Sequence, residues 1–337
     1  MKRTVEARVE RWALRQPFRI SRGAKTHAEV VIVEIVAGAA RGRGECVPYA
    51  RYGETTESVL AQVEGAAPAL RAGLDLEPLQ SLMPPGAARN AIDCALWDLR
   101  AQLQTTPAWQ LLSLPAPSPL TTAYTLSLNG IAGMAEAARL HAHRPLLKAK
   151  LDSEDVLEKI AAMRSAAPRC RLIIDANEAW SAPQLADWMP ELRRLGVELI
   201  EQPLPSAEDH ALATLERLVP VAADESFHVA ADLERVRGRY DLVNLKLDKT
   251  GGLSEAVVAL RLAQAAGLGV MVGCMVATSL AIAPAMLLCA AADFVDLDGP
   301  LLLAHDRVGG ATERDGWLCP PAPGFWGGGG SPQENGA

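Results

Sequence analysis

The sequence lacks any surplus of positive charge. Thirty-three Lys and Arg against 40 Asp and Glu give a formal net charge of −7 over 337 residues, so nothing electrostatic draws the chain to nucleic acid or to an anionic membrane surface. A small molecule is the expected partner. Paired cysteine motifs are also missing: Cys46, Cys94, Cys170, Cys274, Cys289 and Cys319 are scattered without a C-x-x-C spacing and read as reduced thiols. The N-terminal stretch MKRTVEARVERWALRQPF has no continuous apolar core of the kind an export signal needs, and with the thiols it gives a cytoplasmic expectation. One stretch lacks charge altogether. Leu262 to Ala292 holds no charged residue over 31 positions, long enough to span a bilayer, but Gly267, Gly269, Gly273, Thr278, Ser279 and Pro284 divide it into a strand, a loop and an Ala-rich helix. No membrane span is expected.

What is present has two organisations. Residues 4–12 and 30–36 read as β-strands, followed by a turn-rich segment and by helical patterns near 58–71 and 87–104, which makes an α+β module over residues 1–119. Pro115, Pro117 and Pro119 mark its end. Over residues 120–303 short apolar strands alternate with helices, the pattern of βαβ units around a parallel sheet. Eight strand candidates appear: AYTLSL, PLLKAKL, RLIID, VELIE, VPVAAD, DLVNLK, LGVMVG and DFVDLD. From the second on, their polar ends fall 22 to 27 residues apart, a beat suited to one strand plus one helix and enough for a closed α/β barrel of the TIM type. Residues 326–337 have the Gly-rich composition of a flexible tail.

Four of these strands finish on a charge after an apolar run: Asp175, Glu201, Asp224 and Lys246. In a barrel the three carboxylates would meet around one point, where they repel unless one is protonated or a cation is shared; an all-oxygen set favours Mg²⁺ over zinc. Taken singly, each is equally readable as a helix cap or a surface residue, and Lys246 as a lysine snorkelling at a strand end. The six histidines offer no alternative cluster, since His141 and His143 are two apart and share no helical face. In LLKAKL, strand alternation points Lys148 and Lys150 to the same face, roughly 6 to 7 Å apart. At an effective dielectric of about 20 their ammoniums repel by roughly 2.5 kcal/mol, which is expected to lower lysine basicity toward that of a usable general base. Lys246 ends the sixth strand, across a barrel from the second. Two opposed lysines around a carbon acid describe proton removal on one face and return on the other.

KAK at 148–150, DANEAW at 175–180, EQPLP at 201–205, ADES at 223–226, NLKLDKTGG at 244–252 and DLDGP at 296–300 together resemble the enolase superfamily, muconate-lactonizing subgroup, over residues 4–318. Within it the motif set is most similar to the dipeptide epimerases acting on L-Ala-D/L-Glu. The resemblance implies a modified TIM barrel, (β/α)7β, with an α+β N-terminal capping domain that residues 304–325 return to complete. It implies Mg²⁺ held by Asp175, Glu201 and Asp224, with Lys150 and Lys246 as acid/base catalysts on an enediolate, a chemistry general to that superfamily. Lys148 would sit by the enediolate oxygen. Lys150 would serve the S configuration and Lys246 the R. Asp296 and Asp298, sharing a face by strand alternation, would bind a dipeptide's free ammonium, and Arg22 its glutamate carboxylate. Thr125 would add a hydrogen bond, and Tyr52 would close over the site. Cys274 to Thr278 would lie near the substrate. The expected activity is inversion of the α-carbon of a dipeptide's C-terminal residue, fitting murein peptide recycling, in a chain compatible with a homo-oligomer. Rival readings are another subgroup activity (o-succinylbenzoate synthase, cycloisomerase or N-acylamino acid racemase), a Schiff-base aldolase using Lys150, and a non-catalytic binding barrel.

Overall fold

A computed structural model describes residues 2–314 and 316–328. The chain starts with an antiparallel sheet of β1 (Arg3–Ile20), β2 (Gly23–Ala37) and β3 (Ala40–Cys46) in that spatial order. The helices Thr56–Arg71, Leu76–Leu82 and Ala87–Leu103 follow. Residues 30–33, VVIV, do not alternate because β2 is central and covered on both faces. Val31, Val33 and Ile35 pack among the helices of the same module. Val30 and Ile32 pack against Ala277 and Leu280 beneath. β3 corrects the expected turn-rich segment. Its ARGRGEC sequence is strand because Gly42 and Gly44 admit the helix Ala87–Leu103: a Cβ at either position would come within 2.0 Å of the carbonyl oxygen of Ala95 or Ala91.

After the short β4 (Leu120–Thr121), eight parallel strands follow: β5 (Tyr124–Leu126), β6 (Leu146–Lys150), β7 (Arg171–Asp175), β8 (Val197–Glu201), β9 (Val221–Ala223), β10 (Leu242–Leu245), β11 (Gly269–Gly273) and β12 (Phe294–Asp296). They lie in sequence order. The ring closes where the Ala123 N–H donates to the Val295 carbonyl at 2.8 Å. Helices fill most crossovers, though a single 3-10 turn, Asp209–Ala213, serves between β8 and β9. Inward residues of the strands stack in layers. Ala123, Leu146, Ile173, Leu199, Ala222, Leu242 and Met271 form an apolar floor. The charged residues stand two and four positions further along the same inward faces, so alternation sets a polar layer on a dry base.

β13 (Thr312–Arg314) and β14 (Trp317–Cys319) run back to pair with β4. Beyond them, part of the expected tail is fixed in place. The Trp326 indole N–H donates to the Arg43 carbonyl at 2.9 Å and the Gly327 N–H to Asp98 Oδ1 at 2.8 Å, so Trp326 and Gly327 pack on β3 and its helix; residues 329–337 lie outside the described residues. No described helix is long and apolar enough to cross a membrane. The charge-free stretch is divided into β11 and the helix Ser279–Met286.

Candidate active site

The C-terminal ends of the barrel strands open beneath the β1–β2 turn and the segment Val47–Glu54. Between them lies a cavity of about 480 Å³ lined by Arg22, Tyr52, Thr125, Lys148, Lys150, Asp224, Lys246, Asp296 and Asp298, among others. Parallel register sets Lys150 beside Asp175 and Asp175 beside Glu201. Asp224 follows β9, and Lys246 follows β10, four strands round from β6 and therefore opposite it. Lys246 fits because Gly273 has no side chain: a Cβ there would meet Asn244 at 2.7 Å and the Lys246 Cε at 3.1 Å.

The carboxylates and ammoniums form one buried lattice. Lys148 Nζ lies 2.6 Å from Glu201 Oε2, 2.6 Å from Asp296 Oδ2 and 3.2 Å from Asp175 Oδ2. Lys150 Nζ is 2.5 Å from Asp175 Oδ2, and Lys246 Nζ is 2.6 Å from Asp224 Oδ2. The expected lowering of lysine basicity is not what this arrangement imposes. Burial lowers the Lys148 and Lys246 ammoniums, but the carboxylates outweigh it and raise both well above the ordinary value. The reason is distance: the nearest charge to each lysine is a carboxylate in contact, not the second lysine. On the acid side, burial would raise Asp224, yet Lys246 and Lys249 hold it well below the usual range. Burial and neighbouring Asp175 push Glu201 up to about 7. Burial and Asp296 likewise push Asp298 up to about 7.

The Asp-x-Asp pair needs a correction. β12 ends at Asp296, and Asp298 stands two residues beyond at the start of the short helix Gly299–Leu302, where it accepts the Thr125 N–H at 2.6 Å. Both carboxylates still line the cavity. Asp296 Oδ2 is paired with Lys148, and its Oδ1 is buried with no hydrogen-bond partner. Thr125 therefore contributes through its backbone. Tyr52 lies in the loop over the cavity, edge-on to His228 at a centroid distance of 4.5 Å, and burial followed by Asp224 raises its phenol. Arg22 is at the cavity's rim but already engaged, with Nη2 2.7 Å from Glu225 Oε1.

Several residues of this lattice went unread in the sequence. Asn244 donates to Glu201 Oε1 at 2.9 Å, and its place two before Lys246 on an inward face was the available signal. Lys249, fully buried on the short helix Leu247–Thr250, donates to Asp224 Oδ1 at 2.6 Å and to the Asn244 carbonyl at 3.0 Å. Gln202 accepts the Asp224 and Ser226 N–H groups, fixing the loop that carries Asp224. It does so with φ of 36°, and Asn177 and Glu178 also have positive φ (45° and 68°), backbone strain gathered at the barrel mouth.

The donor set fits a hard cation. Three buried carboxylates stand side by side on β7, β8 and the end of β9, with no histidine or thiol among them, and burial together with the neighbouring Asp175 and Asp224 raises Glu201. No group of three metal-type ligands among the described residues is already drawn together around a point; lysine ammoniums stand between them.

Residues 2–113 match the mandelate racemase/muconate lactonizing enzyme N-terminal domain, and residues 131–324 the enolase C-terminal domain-like family. The chain belongs to this enolase-type family. It is 45% identical to the L-Ala-D/L-Glu epimerase of Escherichia coli K12 over 306 residues, covering 90% of this chain and 95% of that one. It is 42% identical to the N-acetyl-D-glutamate racemase of a Pseudoalteromonas species, over 89% and 95% of the two chains. Among solved structures, an enolase family member from Agrobacterium tumefaciens with homology to dipeptide epimerases, bearing sodium and L-Ala-L-Glu, superposes with a TM-score of 0.94 at 47% identity, covering 96% of this chain and all of that one. A dipeptide epimerase from Methylococcus capsulatus, complexed with Mg and L-Arg-D-Lys, gives 0.88 at 30% identity over 98% and 99%.

Proposed function

We propose that this protein is a Mg²⁺-dependent dipeptide epimerase inverting the α-carbon of the C-terminal residue, with L-Ala-D/L-Glu as substrate. The observation that carries the reading is the opposition of Lys150 and Lys246 across a cavity with an apolar floor and with Asp296 and Asp298 among its lining residues. Lys150 and Lys246 would each move a proton at the α-carbon, one from each face, so that removal by one and return by the other inverts it. Lys148, held by three carboxylates, would stay charged and steady the substrate's carboxylate oxygen. Asp175, Glu201 and Asp224 would hold Mg²⁺, which when bound supplies positive charge for the enediolate. Asp296 and Asp298 would take the N-terminal ammonium. Lys150 would serve the L-Glu configuration and Lys246 the D-Glu. We place the enzyme in the cytoplasm, in recycling of murein peptides.

The second reading is an N-acylamino acid racemase, favoured by the 42% identical relative named for N-acetyl-D-glutamate. Asp296 favours the dipeptide, because a buried carboxylate oxygen without a partner gains from an ammonium and loses against a neutral acyl group. Proton NMR of L-Ala-L-Glu and N-acetyl-L-glutamate in D₂O with Mg²⁺ tests both. The expected result is α-proton exchange and diastereomer formation with the dipeptide, abolished by EDTA and restored by Mg²⁺. Exchange in N-acetyl-glutamate alone, or exchange indifferent to EDTA, would sink the proposal.

A further inference from the structure

The crossover between β8 and β9 has a single 3-10 turn, Asp209–Ala213, in place of a helix. From that turn a line of polar side chains runs inward to the loop that carries Asp224. Asp209, Tyr240, Ser226 and Gln202 compose it, and each is 2% exposed or less. Gln202 Oε1 accepts the Asp224 N–H at 2.9 Å and the Ser226 N–H at 3.0 Å, which fixes the amide's orientation and turns Nε2 the other way. Nε2 has two hydrogens but three acceptors at 2.9 Å: the Leu204 carbonyl, Ser226 Oγ and Tyr240 Oη. Ser226 Oγ and Tyr240 Oη are themselves 2.9 Å apart.

The far end decides how these hydrogens are shared. Tyr240 Oη stands 3.1 Å from Asp209 Oδ2, while Arg239 Nη1 donates to Asp209 Oδ1 at 2.7 Å and Arg235 lies 3.6 Å from Oδ2. An ion-paired carboxylate only accepts. The phenol therefore donates to Asp209, the Ser226 hydroxyl donates to the phenol, and the Gln202 amide donates to the hydroxyl, so every bond in the line points outward. Asp209 is not among the residues lining the cavity. Resting on the reading of Asp224 as a Mg²⁺ ligand, we propose that Asp209 is a remote positioning residue of the metal site: its charge sets the direction of the line and so keeps the Gln202 oxygen on the Asp224 N–H.

Two substitutions separate direction from packing. Asp209→Asn keeps the shape but puts an NH₂ where Oδ2 stood, because Arg239 holds the oxygen on its own side. The phenol must then accept, and it donates back to Ser226. The Ser226 hydroxyl regains an acceptor within the line only if Gln202 turns over, which sets the Gln202 NH₂ against the Asp224 and Ser226 N–H groups. Tyr240→Phe cuts the line instead; it leaves Gln202 bonded to Leu204 and Ser226 and blocks the reversal. Calorimetry with MgCl₂ alone on metal-free protein should show affinity lowered about tenfold or more in Asp209→Asn and about threefold or less in Tyr240→Phe, with the double variant close to Tyr240→Phe. Simple loss of packing would make the double variant the weakest of the three. Hydrogen exchange of residues 221–228, read by mass spectrometry without metal, should rank the variants in the same order. Affinity in Asp209→Asn within about twofold of wild type, or a double variant weaker than Asp209→Asn, overturns the proposal. If Asp209→Asn does not fold by circular dichroism, the double variant decides: it should fold and bind as Tyr240→Phe does, and failure to do so overturns the proposal equally. A wild type that binds no Mg²⁺ would overturn the metal reading instead, and the exchange ranking would still decide whether Asp209 holds the loop.

Discussion

Lys150 and Lys246 stand on opposite strands, and each has a carboxylate in contact, Asp175 for one and Asp224 for the other. Removing either leaves the opposite base in place, so the two single variants should fail in complementary ways. Lys150→Ala and Lys246→Ala should each lose interconversion of L-Ala-L-Glu and L-Ala-D-Glu by roughly 10³-fold or more, the range of a positioned acid or base. Each should still exchange the α-proton of one diastereomer. Proton NMR in D₂O started separately from each isomer reads this, and full interconversion by either variant would refute the two-base arrangement. Asp296→Asn keeps the shape but removes the charge facing the ammonium; KM for L-Ala-L-Glu should rise tenfold or more while N-acetyl-glutamate binding is far less affected, read by steady-state kinetics and calorimetry. The lysines and carboxylates were legible because strand alternation converts sequence spacing into a shared face, as it does for Lys148 and Lys150. Lys249 and Glu225 were not, because they belong to segments that have left the strands, where side-chain direction no longer follows a period of two.

At the scale of an element, the third strand shows why a correct structure can hide from its own composition. ARGRGEC has two glycines, two arginines and almost no apolar residue, yet it is strand because the helix Ala87–Leu103 lies directly on its glycines. Gly44→Ala sets a methyl 2.0 Å from the Ala91 carbonyl oxygen, with backbone rather than a movable side chain in the way. The helix or the strand must shift. Stability should fall by about 1 to 3 kcal/mol or more, the usual cost of overpacking, seen as a lower urea midpoint with little change in m. A variant as stable as wild type would mean that helix and strand are less closely joined than these contacts require. RLIID and VELIE were read to the residue, since polar ends and turn residues bound them on both sides, whereas AYTLSL and DFVDLD each run two residues past the strand ends at Leu126 and Asp296. The close approach behind β3 is a long-range fact with no local trace except the glycines, which read equally well as turns.

At the scale of the whole molecule, the two modules meet along a seam of buried carboxyls. Asp248, on the helix that follows Lys246, accepts the Val47 N–H and the Asn90 amide, both at 2.9 Å, so a barrel side chain grips the capping module at two points. Burial raises this carboxyl to about 7; the two hydrogen bonds oppose the rise and the nearby Glu54 and Glu45 add to it. A carboxyl whose native value exceeds its unfolded value of about 3.9 binds its proton more tightly when folded. The resulting stability is fully present below about pH 4 and lost as pH rises through about 7. Asp248→Asn keeps an oxygen to accept both bonds and has no proton to lose. The stability difference between variant and wild type should therefore move in the variant's favour from pH 4 to pH 8, by on the order of 4 kcal/mol at most. Urea titrations at several pH values read the difference directly, and a difference flat across that range would show that Asp248 is charged in the native seam. If the difference moves as expected, the capping module's grip on the barrel, and with it the roof over Lys150 and Lys246, depends on a carboxyl that is half protonated near neutral pH.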